Sequence, residues 1–110
     1  MKDDILKLAG SKFICGFDGL EVSDNLRSLI YDYHIGGVIL FTKNIASENQ
    51  VKHLTDEIKA EAEKAGYDQE IIIAIDQENG LVNRLSELDF YMPGSMSLGA
   101  ADNYDLAYEV

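Results

Sequence analysis

At 110 residues, with 46% hydrophobic and 26% charged side chains, the chain is the size of one globular domain with a modest core, which excludes intrinsic disorder. A formal net charge of −11 sets it against nucleic-acid phosphates and anionic membrane surfaces, so neither is expected as a partner. Cys15 is the only cysteine, which rules out an internal disulfide, and no stretch approaches the ~20 apolar residues of a membrane span.

Met1-Lys2-Asp3-Asp4-Ile5 carries acids where a signal peptide needs bases, so the cytoplasm is the expected location. Residues 3–10 predict a short amphipathic helix, with Ile5, Leu6 and Leu8 on a partly apolar side and Gly10 as its stop. Lys12 to Phe17 is aromatic-rich and β-prone, and the Asp18-Gly19 turn signal closes it as the first strand. Cys15 within it reads as buried packing rather than a nucleophile. Asp18 is explained by turn chemistry.

Ser23 is suited to cap a helix that places Leu26, Leu29, Ile30 and Tyr33 on one face, and Gly36 and Gly37 are expected to stop it. His34 falls in the last turn, where a cation would meet the negative end of the helix dipole. Val38 to Phe41 is a second, wholly apolar strand. Ser47 and Gln50 have capping-box spacing, and the helix they open carries Val51, Leu54, Ile58, Ala62 and Ala65 on one face before Gly66 ends it. His53, with Glu57 one turn on, reads as a solvated helix face, and no metal is assigned.

The third strand is the most informative stretch. Ile71-Ile72-Ile73-Ala74-Ile75 has no polar face, which suits a strand covered on both sides in a parallel sheet. The chain then turns polar at once, through Asp76, Gln77, Glu78 and Asn79. Ligands of parallel α/β folds are met at the carboxyl ends of the strands, so Asp76 reads either as a ligand-facing carboxylate or as a cap satisfied by loop amides. Leu85 to Tyr91 is an irregular loop, Ser95 to Ala100 a short helical turn, and Asp102 the cap of a last segment, Asn103 to Val110.

The sum is an α/β chain, a βαβαβ unit with parallel strands and both helices on one face. It fits half of a doubly wound nucleotide-binding sheet or the first three strands of an eight-fold barrel. The first βα turn reads Gly16-Phe17-Asp18-Gly19-Leu20-Glu21 and lacks the G-x-G-x-x-G of a dinucleotide site. An acid stands where a pyrophosphate would lie. The barrel is favoured.

Several blocks then stand in a telling order. They are Gly16-Phe17-Asp18-Gly19; Gly36-Gly37-Val38-Ile39-Leu40-Phe41 with Asn44-Ile45; Ile73-Ala74-Ile75-Asp76-Gln77-Glu78; and Arg84-Leu85. Pro93-Gly94 with Met96, Leu98-Gly99-Ala100 and Leu106-Ala107-Tyr108-Glu109-Val110 complete the series. Together they resemble the N-terminal part of the catalytic domain of glycoside hydrolase family 3, most closely its β-N-acetylhexosaminidase branch. The resemblance runs from about Phe13 onward, and it makes residues 1–110 the incomplete N-terminal portion of one (β/α)8 barrel.

That resemblance implies a retaining exo-glycosidase that releases terminal β-linked N-acetylglucosamine through an aspartate nucleophile, without metal or organic cofactor. In this branch a histidine paired with an aspartate is the acid/base, unlike the usual two carboxylates. Two substrate-binding residues carry over by position. Asp76 matches the aspartate that accepts hydrogen bonds from hydroxyls of the non-reducing sugar, and Arg84 matches the arginine that holds the same sugar. Arg84 has a blander reading, as the brace of a loop carboxylate such as Glu78.

The family block D-Q-E-G-G-R-V-Q-R is here Asp76-Gln77-Glu78-Asn79-Gly80-Leu81-Val82-Asn83-Arg84. Asn79 tolerates a left-handed glycine position, whereas Leu81 removes a charge and its donors. The family's K-H-x-P-G motif, histidine loop and nucleophile lie beyond the matched segment. No catalytic residue is therefore expected in this chain, and alone it is expected to be inactive. An eight-stranded barrel takes roughly 250 residues, so three strands leave an open edge and an apolar inner face, with self-association or marginal folding as the expected result. The alternatives are a β-glucosidase portion of the same family or a non-catalytic binding or scaffold domain.

Overall fold

The computed structural model describes Lys2 to Val110. Helix α1 (Lys2–Gly10) leads into strand β1 (Ile14–Cys15), helix α2 (Asp24–Tyr31), strand β2 (Gly37–Leu40), helix α3 (Glu48–Lys64) and strand β3 (Ile72–Ile75). Two short helices follow, α4 (Ser95–Ala101) and α5 (Tyr104–Glu109). The strands form one parallel sheet in the order β1-β2-β3. This is the expected βαβαβ unit, an open sheet that matches the opening part of a (β/α)8 barrel.

Strand alternation divides the sheet into two unlike faces. Val38 and Leu40 are buried against Leu26 and Ile30 of α2 and Leu54, Ile58 and Ala62 of α3, and Cys15 and Ile73 pack on the same cluster. The buried-packing reading of Cys15 holds, although its side chain is only partly covered. The opposite face carries rows set by the register. Ile14, Gly37 and Ile72 are aligned across it, and Ile39 pairs with Ala74 one step on. Ile14 and Ile72 are exposed there. Gly37 is a matter of room, since a Cβ at that position would stand 2.7 Å from the Ile72 carbonyl oxygen and 2.9 Å from its Cβ.

Both predicted helix starts hold. Ser23 Oγ accepts from the Leu26 amide at 3.2 Å, and Ser47 Oγ accepts from Gln50 at 3.2 Å. Gln50 does not complete the reciprocal bond to the cap residue; its Oε1 accepts from the Ala46 amide at 2.9 Å. The end of α2 differs from expectation. It stops at Tyr31, before the glycines, and His34 itself takes the left-handed conformation with φ of 50°. Outside the helix it does not serve the dipole; its ring stacks on Tyr67 with centroids 4.6 Å apart. The Tyr67 hydroxyl is shared between the Ile30 and Ile35 carbonyls, and burial pushes its pKa up to about 12. A second difference lies at α5. Asn103, not Asp102, is the cap, its Oδ1 accepting from Leu106 at 3.1 Å, while Asp102 ends α4 in the left-handed conformation.

Helices α2 and α3 are joined by a charged cluster. Arg27 of α2 reaches Glu57 at 3.1 Å and Glu61 at 3.6 Å on α3, and Glu61, largely buried, also accepts from Tyr31 at 3.1 Å and Lys64 at 2.7 Å. The Lys64 hydrogen bond is the main cause holding the Glu61 carboxyl below its usual range, with Tyr31 and Arg27 assisting against burial. A depressed carboxyl stabilises the fold above its unfolded pKa, and that contribution is lost as pH falls through the folded value. Glu61→Gln is therefore expected to cost about 1 kcal/mol at pH 7, because its partners are largely solvent-screened. Urea titrations should show the gap to the native protein closing below pH 4. An equal gap at pH 3 and pH 7 contradicts this account. The comparison is needed because acid also relieves repulsion within a chain of net charge −11, which acts in the opposite sense.

Candidate functional site

The carboxyl ends of three parallel strands lie side by side, and the loops leaving them are tied together by amide side chains. Phe41 follows β2 in extended backbone, with φ of −121°, and a 3-10 turn from Thr42 to Asn44 follows it. Asn44 is fully buried. Its Nδ2 donates to the Phe17 carbonyl at 3.2 Å and the Gly19 carbonyl at 2.8 Å, and its Oδ1 accepts from the Phe41 amide at 2.9 Å. Gln50, in the first turn of α3, donates to the Leu20 carbonyl at 2.8 Å and the Asn44 carbonyl at 3.1 Å. The loops after β1 and β2 are thus fixed to each other. Lys43 adds an exposed ion pair with Asp18 across the same gap.

After β3 a second amide cluster shapes the chain. Gln77 Nε2 donates to Asn79 Oδ1 at 2.7 Å and Asn83 Oδ1 at 2.8 Å, and its Oε1 accepts from the Arg84 amide at 2.8 Å. Asn83 Oδ1 also accepts from Leu85, and its Nδ2 donates to the Phe90 carbonyl. Asn79 is left-handed at φ of 61°, as the departure from glycine requires, and it pairs with Val82 in an antiparallel bridge. Leu81 occupies the tip of this turn, fully exposed.

Asp76 is the first residue beyond β3. The paired register ends at Leu40 opposite Ile75; Phe41 and Asp76 are the next residues on each chain, and continued alternation puts both on the side of Ile72 and Ala74. The Asp76 carboxylate is exposed, and among the described residues it has no hydrogen bond or ion pair. It is not a cap. Arg84 is partly buried, with its guanidinium carbon 5.3 Å from the Phe41 ring centroid. Its Nε is buried with no hydrogen-bond partner, and no carboxylate among the described residues pairs with it, so it does not brace Glu78. Asp76 and Arg84 thus share the sheet mouth without touching each other. An open groove of about 850 Å³ lies beside them, lined by Gln77, Val82, Gly94, Ser95 and Met96 among others. Neither Asp76 nor Arg84 lines it.

A carboxylate and a guanidinium that are both uncommitted can accept from and donate to neighbouring hydroxyls. Among the described residues no group of three His, Cys, Asp or Glu side chains could hold a metal ion, and no helix is long and apolar enough to cross a membrane. Sequence reasoning missed Asn44, Gln77 and Phe41. The density of amides at Gln77, Asn79 and Asn83 was a usable signal for the second cluster; nothing in the sequence marked Phe41.

Residues 4–110 match the family described as glycosyl hydrolase family 3 N terminal domain. A β-hexosaminidase of Alkalilimnicola ehrlichii is 36% identical over 92 residues, which is 84% of this chain and 25% of that protein. β-Hexosaminidase A of Pseudoalteromonas piscicida is 40% identical over 76 residues, 68% of this chain and 13% of that protein. A solved glycoside hydrolase family 3 β-N-acetylglucosaminidase from Paenibacillus sp. superposes with a TM-score of 0.88 at 42% identity, over 96% of this chain and 20% of that one. The chain therefore spans a quarter or less of the length of these relatives.

Proposed function

Because the chain belongs to the glycosyl hydrolase family 3 N-terminal domain family, we propose that it forms part of the non-reducing-sugar subsite of a retaining exo-glycosidase acting on terminal β-linked N-acetylglucosamine. Asp76 accepts from the sugar hydroxyls and Arg84 donates to the same ring. The observation that carries this reading is the uncommitted Asp76 carboxylate at the end of β3, on the same side of the sheet as Phe41 and the unpaired Arg84 guanidinium. A carboxylate with no protein partner keeps its full hydrogen-bonding capacity for a ligand. The reacting groups are not among these residues, so the chain binds and orients but does not cleave. The similarity to β-hexosaminidases and to a solved β-N-acetylglucosaminidase supports the N-acetyl sugar.

The test is hydrolysis by the product of the complete reading frame that encodes this chain. An aryl N-acetyl-β-glucosaminide is expected to be cleaved about a hundredfold faster, in kcat/KM, than the matching β-glucoside. Residues 1–110 alone should cleave neither. Preference for the glucoside, or turnover of neither substrate by the complete product, overturns the reading.

A further inference from the structure

Arg84 is held in an unusual way for a cation that is partly buried. No acid among the described residues neutralises it, and its guanidinium rests over an aromatic ring, 5.3 Å from the centroid of Phe41. That ring is itself constrained. The Phe41 amide is bonded to the buried Asn44 side chain at 2.9 Å, which fixes the backbone, and Gly16 of the neighbouring strand end gives the ring its space. A Cβ at Gly16 would lie 3.3 Å from Phe41 Cε2, so any larger residue there presses on the ring. Gln77 holds the Arg84 amide from the other side. Phe41 directly follows Leu40, whose register partner Ile75 directly precedes Asp76, so the ring that carries Arg84 and the carboxylate leave neighbouring strand ends.

A ring and a carboxylate hold an arginine differently. A carboxylate occupies two donors of the guanidinium fork and cancels its charge. The π face attracts the cation electrostatically and takes up none of the Nη hydrogens, which lie in the guanidinium plane. We propose that Phe41 is the positioning residue for Arg84: it seats the guanidinium beside Asp76 while leaving the Nη donors free for sugar oxygens. This rests on the sugar-binding reading above. It adds a residue that touches no sugar and acts only through the arginine.

The complete reading-frame product is assayed as Phe41→Leu, Phe41→Tyr, Arg84→Gln and the Phe41→Leu/Arg84→Gln pair, on an aryl N-acetyl-β-glucosaminide. Phe41→Leu is expected to raise KM by about 3- to 30-fold, with kcat changed less than about threefold. Phe41→Tyr keeps the ring and should stay within about twofold of the native KM. In the Arg84→Gln background, Phe41→Leu should add less than about twofold, because the cation it seats is gone. If Phe41→Leu does not fold, Phe41→Met, which fills the same space flexibly, replaces it with the same expectations. Multiplicative effects in the double variant, or a tyrosine variant as poor as leucine, overturn the proposal alone. An Arg84→Gln variant with native KM overturns the sugar reading, and this proposal with it.

Discussion

Asp76→Ala, introduced into the complete reading-frame product, is expected to lower kcat/KM for an N-acetyl-β-glucosaminide by about a thousandfold. The magnitude follows from losing two charge-assisted hydrogen bonds to sugar hydroxyls, each worth roughly 1.5–3 kcal/mol, in a site where contacts to the ring hydroxyls strengthen on the way to the transition state. The same substitution should leave stability nearly untouched. The carboxylate is exposed and has no partner among the described residues, so no protein contact is broken. That separation makes the test clean: kinetics should collapse while the urea midpoint stays put. A loss below tenfold would show that Asp76 only closes a strand. An unfolded variant would show that the carboxylate supports the loop.

Asn44→Ala is the converse case, a change outside the proposed sugar-binding pair with a large structural cost. Truncation strips partners from the Phe41 amide and from the Phe17 and Gly19 carbonyls at once. Each buried group left unmet costs roughly 1–3 kcal/mol, and water entering the loops recovers part of it, so the expected loss is about 3 kcal/mol. It should appear as a lower urea midpoint at unchanged slope. Asn44→Asp should do no better, since it removes both Nδ2 hydrogens and sets an anion against two carbonyls. A loss under 1 kcal/mol would mean that the β1 and β2 loops hold together without this side chain.

How far the sequence revealed all this depends on whether the signal was local. The apolar runs at 38–41 and 71–75 marked two strands because they lack polar alternation, although β3 is not covered on both sides as expected: Ile72 is exposed on the face turned from the helices. Ser23 and Ser47 marked helix starts because a cap bonds only three residues ahead. The first strand came out shorter than its β-prone run, with only Ile14 and Cys15 in register with β2. The end of α2 was misjudged because glycine is the default for a left-handed turn, whereas Tyr67, far along the chain, supplies a stacking partner for His34 in that conformation. At α5 two adjacent cap-forming residues competed, and the left-handed end of α4 claimed Asp102.

The site divides the same way. Asp76 stood out in the sequence as an acid directly after an apolar strand, a pattern that left a ligand-facing carboxylate and a cap both open. Its neighbours did not. The bonds of Asn44 reach back 25 to 27 residues, and the ring beneath Arg84 lies more than forty positions earlier, just past β2, so only the fold brings these groups together.

The sheet face turned away from the helices has a relief of its own. Along one row two isoleucines flank the dip at Gly37; along the next, Ile39 rises as a boss beside Ala74, with Gly16 beyond it. Any layer laid over this face meets a mould rather than a uniform oily plane: it must push a bulky group in at the first level and draw back at the second. Grease alone would accept many covers, whereas this contour rejects one slid along by a single step.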